Sequence, residues 1–186
     1  AYYYQMYCIE RVGRLTGTRF IGNTDWYRMG CEHIVGLQDQ LRGSWRGSLS
    51  HGESNPTIAS SFALLFLAKG RRPIAISKLA YGEEQQGNQH PQDLQNLVMQ
   101  TEKRWDMYLT WQTLELEISN LSDLMESPVL FLSGKGPLSW TPKHRELIKQ
   151  YVNQGGFLFV ENACGDVQFD QEFRRAMAEL FPDSQL

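Results

Sequence analysis

The chain is poor in the features that announce a chemistry. Cysteine occurs only three times in 186 residues, at Cys8, Cys31 and Cys164. The number is odd and the positions are far apart, so neither a disulfide framework nor a zinc-ligand spacing follows. The longest apolar run, Phe62 to Ala68, is too short to cross a bilayer, so this segment is not expected to insert into a membrane. Neither sign of charge dominates. With 18 basic and 21 acidic residues the net charge is −3, which argues against nucleic acid or an anionic membrane as a general partner. No secretory leader, Walker spacing or Gly-x-Cys-x-Gly elbow is present. Nothing calls for a metal or a cofactor. An initiator methionine is missing too: Ala1-Tyr2-Tyr3-Tyr4 opens inside what reads as a helix. The expectation is a segment of a longer protein, which leaves its compartment unspecified.

What the chain does have is a 41% hydrophobic composition and one stretch that organises the rest. Val129-Leu130-Phe131-Leu132 and Phe157-Leu158-Phe159-Val160 are unbroken apolar runs, the pattern of parallel strands covered on both faces. Between them, Thr141 suits a helix cap and Pro142 a first turn. Leu147, Ile148, Tyr151 and Val152 share a helical stripe, and Gly155-Gly156 ends it. This is a strand–helix–strand unit. Around it, Pro73 to Leu79 reads as a strand, Gln92 to Trp105 as a helix, and Tyr108 to Leu116 as a strand nearer an edge. Asn120 to Met125 reads as a short helical turn, and a last helix starts at Phe169 or Asp170 and stops at Pro182. Strands alternating with helices predict an α/β domain: an open, mainly parallel sheet of about four strands with helices on both faces. It occupies 71–186 and is expected to continue beyond its C-terminus.

Residues 1–70 carry only helical patterns. A first helix covers about Tyr2 to Leu15. A second runs from Asp25 to Gln38 with Asn23 or Thr24 as cap and a face of Trp26, Met29, Gly30, His33 and Leu37. A third starts at Pro56 after the cap Asn55, has Ile58, Phe62, Leu65 and Phe66 as its stripe, and ends at Gly70. That third helix is apolar nearly all round, which predicts burial. Between the last two lies Gln38-Asp39-Gln40-Leu41-Arg42-Gly43-Ser44-Trp45, in which an amide can satisfy backbone groups, a glycine turn and a Trp can plug a gap. It resembles the QW-type repeat of squalene cyclase and protein prenyltransferase α/α-toroids. The resemblance implies that 1–70 is a terminal repeat whose partners are other toroid repeats of the same chain, since a lone repeat cannot bury its own faces. It implies no chemistry: an Asp-rich acid motif is missing, and Asp25, Cys31, His33 and His51 match prenyltransferase zinc ligands in type but not in spacing. Cys31 is expected to pack, His33 to sit at a repeat interface and His51 in a polar loop.

In the second part several stretches act together: the opening strand to Tyr81-Gly82, Pro128 to Gly134, Tyr151 to Leu158, and Phe169-Asp170 followed by Phe173-Arg174 and Phe181-Pro182. They resemble the uncharacterised bacterial family called domain of unknown function 4159. The resemblance implies a core similar to class I glutamine amidotransferases and a bacterial protein of the envelope, periplasm or cytoplasm. It implies no activity.

In an open parallel sheet ligands bind beyond the carboxyl ends of the strands. Two loops qualify: Ser133-Gly134-Lys135-Gly136 and Glu161-Asn162-Ala163-Cys164-Gly165-Asp166. Ser133, Gly134, Lys135, Gly136, Glu161, Asn162 and Gly165 are therefore the candidate ligand-binding residues. In the first loop the glycines offer N–H groups to an anion and Lys135 adds charge, or the loop is a simple connection. Cys164 is the candidate nucleophile. Against it stand its distance from the strand, the acidic Glu161 and Asp166 that raise a thiol pKa, and the absence of any histidine after His144. The alternative is a buried, inert thiol. His144 is expected to face solvent or a sheet edge, His90 to lie in a turn, Glu83-Glu84 in a solvated loop, and Trp105, Trp111 and Trp140 in the core or an interface. The reading reached is a non-catalytic binding or scaffold module. The alternatives are an amidotransferase-like hydrolase using Cys164, or part of a terpenoid cyclase or prenyltransferase-like enzyme.

Overall fold

The computed structural model describes residues 1–49, 52–68, 73–82 and 87–184. His51, Gly70 and the Glu83-Glu84 pair lie outside them. The chain falls into two units, Ala1–Arg72 and Pro73–Leu186.

In the first unit, α1 (Tyr2–Thr16) ends where Gly17 turns left-handed at φ 65° and returns its N–H to the Gly13 carbonyl. A two-residue hairpin, β1 (Phe20–Ile21) with β2 (Thr24–Asp25), leads into α2 (Trp26–Gly36). The cap of α2 is Asp25, not Asn23 or Thr24. Its side chain accepts the Arg28 N–H at 2.9 Å and also pairs with Arg19 at 2.7 Å. The cap of α3 (Pro56–Leu67) is Asn55, which accepts the Thr57 N–H. The core is Tyr3, Trp26, Ile34, Trp45, Ala59, Ala63 and Phe66. The helix faces differ from the expected stripes. In α2 the inward set is Trp26, Gly30 and Ile34, whereas Met29, His33 and Leu37 point out. In α3 it is Ala59, Ala63 and Phe66, leaving Ile58, Leu64 and Leu65 exposed. Small residues win because the helices cross closely. A Cβ on Gly30 would lie 2.4 Å from the Phe66 ring, and one on Gly13 2.2 Å from Trp26.

The Gln38–Trp45 segment does what its residue types suggest, by a different route. The Gln38 amide donates to the Gly43 carbonyl at 2.9 Å and so closes its own turn. The helix end is served by Trp45, whose indole N–H reaches the Ile34 carbonyl at 2.6 Å. Cys31 packs against this core, and the exposed His33 lies edge-on to Tyr2.

The second unit holds β3 (Ile74–Ala80), α4 (Asp93–Trp105), β4 (Thr110–Glu115), α5 (Leu121–Leu124), β5 (Val129–Gly134), α6 (Pro142–Asn153), β6 (Phe157–Asn162) and α7 (Val167–Leu180). The four strands form one parallel sheet of order β4-β3-β5-β6 with flanking helices, an α/β fold. The two apolar runs are neighbours in register, Leu130 beside Leu158 and Leu132 beside Val160. Only β5 has the double cover that both sequences suggest. β6 is the outer strand of the described sheet, and alternate residues on it are open: Phe157 is 62% exposed and Phe159 44%.

One face of the sheet buries Ile76 and Phe131 against Leu94 and Val98 of α4. Leu97 on the same helix is exposed, and so, by 63%, is Trp105, expected in the core or an interface. Trp111 is partly buried against this core. A second buried group joins the strands by hydroxyls. The Ser127 hydroxyl lies 2.8 Å from that of Ser77, to which the Gln112 amide also donates, and the Tyr151 hydroxyl donates to the Ser127 carbonyl. Burial pushes the Tyr151 phenol up to about 12. Trp140 is buried edge-on to Phe173. His144, expected to face solvent or a sheet edge, is 0% exposed. It stands three residues after Thr141, so the two form a reciprocal cap that turns the imidazole inward.

Candidate functional site

The strand order reverses direction between β3 and β5. The crevice above their carboxyl ends is where open α/β sheets place ligands. β5 delivers Ser133 and Gly134 there, paired with Glu161 and Asn162 of β6. The two candidate loops therefore do lie side by side.

Each predicted residue has a definite place. Ser133 is fully buried, and its hydroxyl has no hydrogen-bond partner among the described residues. Gly134 is required by its neighbour: a Cβ there would fall 1.9 Å from the Phe169 ring. Its lack of a side chain leaves room for that ring. Lys135 is exposed, and Gly136 turns left-handed at φ 74°. Glu161 is exposed, and Asn162 is half-buried with no partner for its carbonyl oxygen among the described residues. Ala163–Gly165 forms a single 3-10 turn. Helix α7 starts at Val167, two or three residues earlier than expected, because Asp166 caps it by accepting the Phe169 N–H at 2.9 Å.

This cap changes the meaning of the rim. The Asp166 carboxyl is held below the usual carboxylate range first by the Phe169 N–H, then by the Gly136 and Gln168 N–H groups and the nearby Lys135 ammonium. The donors that a phosphate would use are already facing a carboxylate of the chain itself. A second carboxylate, Glu172, repeats the device. It accepts the Gln168 amide at 2.9 Å and the Leu138 N–H at 2.7 Å, and its pKa is lowered by the same two partners in that order. Asp166, the cap of α7, and Glu172 within it thus both face the loop after β5, and Glu172 is hydrogen-bonded to it.

Cys164 is exposed, not buried. Its backbone is left-handed, φ 59° and ψ 19°, a conformation non-glycine residues adopt rarely. The histidine nearest to it in sequence, His144, is committed elsewhere: its Nδ1 accepts the Thr141 N–H and its Nε2 lies 3.1 Å from a Glu117 carboxylate oxygen. Among the described residues no group of three or more His, Cys, Asp and Glu is arranged to hold a metal. Asp25, a zinc-ligand type by residue, is instead a cap and the partner of Arg19.

Sequence reading missed one polar constellation. Lys78 is 1% exposed, yet its ammonium donates to Asp93 at 2.6 Å and to the His90 carbonyl at 2.9 Å, and lies 5.7 Å from the Phe131 ring centre. The signal that could have found it was a lysine inside an apolar strand followed by an acid at the start of the next helix. His90 does lie in a turn. A cleft of about 480 Å³ opens elsewhere on this unit, between β6 and α7, walled by Val152, Leu158, Val160, Phe173, Met177 and Phe181.

A comparison with family profiles matches residues 75–186 to the family described as Domain of unknown function (DUF4159). No curated protein and no solved structure matches the chain. No helix among the described residues is long and apolar enough to cross a membrane.

Proposed function

Because the chain belongs to the Domain of unknown function (DUF4159) family, whose description carries no activity, we propose a role from its own geometry: a non-catalytic binding or scaffold module. The observation that carries this reading is the self-satisfied rim. The Phe169 N–H in the first turn of α7 is hydrogen-bonded to Asp166, and Gly136 and Lys135 lie close enough to lower its pKa, so the groups best suited to an anionic substrate or a developing oxyanion already have a carboxylate beside them. What the rim still offers to solvent is the exposed Glu161 and Lys135, above a buried Ser133 hydroxyl and Asn162 carbonyl that have no partner among the described residues. Such groups suit recognition by hydrogen bonds better than bond-breaking.

The helical unit supports the same reading. Val12, Leu15, Met29, Leu64 and Leu65 are exposed around a small core. Faces of that kind suit stacking against further helical repeats of the α/α-toroid type.

One observation favours the alternative of an amidotransferase-like hydrolase. Cys164 is exposed in a left-handed turn between a strand and a helix, the kind of site that presents a nucleophile. The experiment that decides is thiol labelling of the native chain at neutral pH with Ellman's reagent, in a Cys8→Ser/Cys31→Ser background. Cys164 is expected to react no faster than it does in the urea-unfolded chain. A native rate roughly tenfold or more above the unfolded rate would mark an activated thiolate and replace the binding reading with the hydrolase.

A further inference from the structure

We propose that His144 is a pH-operated latch on the segment that joins β5 to α6. Neutral, it holds the end of that segment to the helix; protonated, it lets go.

The geometry is that of a capping box with one residue exchanged. In such a box the side chain three residues after the cap reaches back to accept the cap's own backbone N–H, and glutamate or glutamine usually fills that place. Here His144 fills it. Its Nδ1 accepts the Thr141 N–H at 3.3 Å, while the Thr141 hydroxyl accepts the His144 N–H at 3.3 Å. An accepting ring nitrogen carries no proton, so the capped ring is neutral, with its proton on Nε2. Histidine, unlike glutamine or an ordinary glutamate, changes charge between about pH 5 and 8. A second proton, on Nδ1, would set donor against donor at the Thr141 N–H, and the cap would open.

The ring can take that proton without the unit unfolding, because a counter-charge is already beside it. His144 is 0% exposed, and its Nε2 lies 3.1 Å from a Glu117 carboxylate oxygen in a contact not aligned as a hydrogen bond. Such a contact strengthens when the ring gains a full charge. The charged groups around it are engaged. Lys143 donates to the Glu117 carbonyl at 2.8 Å, Arg145 pairs with Glu179 of α7, Glu146 accepts the Gln150 amide, and Asp123 of α5 accepts the Asn120 N–H.

The segment so held begins at the rim. It is fixed at its middle by the Leu138 N–H on Glu172, at 2.7 Å, and at its end by His144. A carboxylate lets go only below about pH 4, so mild acid frees the end alone. This latch operates whatever the rim binds.

The test is nitrogen NMR of the ring with amide hydrogen exchange of the whole chain, between about pH 7.5 and about pH 5.5. The Nε2–H tautomer is expected at the higher pH. At the lower, Thr141 exchange corrected for intrinsic rates should be faster by about tenfold or more, with β5 amides unchanged. His144→Gln restores the usual capping-box residue and should keep Thr141 protected at both values. Glu117→Gln, on an exposed side chain, leaves the cap in place and should move the response to lower pH, which keeps the proposal testable if His144→Gln misfolds. A neutral ring with its proton on Nδ1, or Thr141 exchange that ignores pH, overturns the proposal. So does an equal response in folded His144→Gln, or one that Glu117→Gln leaves where it was.

Discussion

Gly134→Ala is the sharpest perturbation, because the packing and anion-loop readings of this glycine predict different losses. The added methyl would begin 1.9 Å from one Phe169 ring carbon, with two more at 2.3 and 2.4 Å. The ring cannot retreat freely. It is 1% exposed and stacked on Phe173, centroids 6.0 Å apart with an interplanar angle of 17°. Overpacking of this kind costs about 1–3 kcal/mol, partly offset by roughly 0.5–1 kcal/mol from replacing glycine in a strand. A net loss of about 1–2 kcal/mol is expected, confined to the α/β unit. Native-state hydrogen exchange read on peptides of β5 and α7 measures it without assuming that both units unfold together. Phe169→Leu should cost stability alone but recover part of the loss when combined with Gly134→Ala, a coupling that independent sites would not show. Exchange in Gly134→Ala within about 0.5 kcal/mol of the parent would refute the packing account, since additive, uncoupled sites already scatter that much. If inorganic phosphate binding vanished as well, the anion-loop reading would return.

Two further outcomes follow from the same geometry. Asp166 and Glu172 both have lowered pKa values in the folded chain. Their contribution is therefore present above the unfolded pKa and lost as pH falls through the folded one. The Gly136 and Leu138 amides should exchange faster, after correction for intrinsic rates, as pH drops below about 4. Asp166→Asn should flatten that response at Gly136 while leaving Leu138 dependent on Glu172. Lys78→Ala should cost about 3 kcal/mol, because it strands Asp93 and empties a buried volume. Lys78→Met with Asp93→Asn should recover much of this in urea melts. Equal losses in the single and double variants would mean that the pair contributes nothing specific.

Much of the framework was readable from local pattern. Asn55-Pro56, Thr141-Pro142 and Asn120 announce helix starts because a side-chain oxygen can meet N–H groups only a few residues away. The adjacency of β5 and β6 followed from two apolar runs joined by one helix. The candidate rim was legible only in outline. Its two loops could be paired from strand order, but no local signal said that Asp166 would face Gly136 or that Gly134 exists to admit the Phe169 ring.

What the sequence alone determined is a parallel α/β sheet with helices ahead of it, since helix and strand periodicities and caps are properties of neighbouring residues. The tertiary structure decided which faces are covered. Phe157-Leu158-Phe159-Val160 reads like an interior strand but lies at the edge of the described sheet, and Cys164 looks fit for burial but is open. His144 looks fit for solvent or a sheet edge but is sealed. Burial depends on what packs against a residue from distant parts of the chain, and the residue's own chemistry does not specify that neighbour.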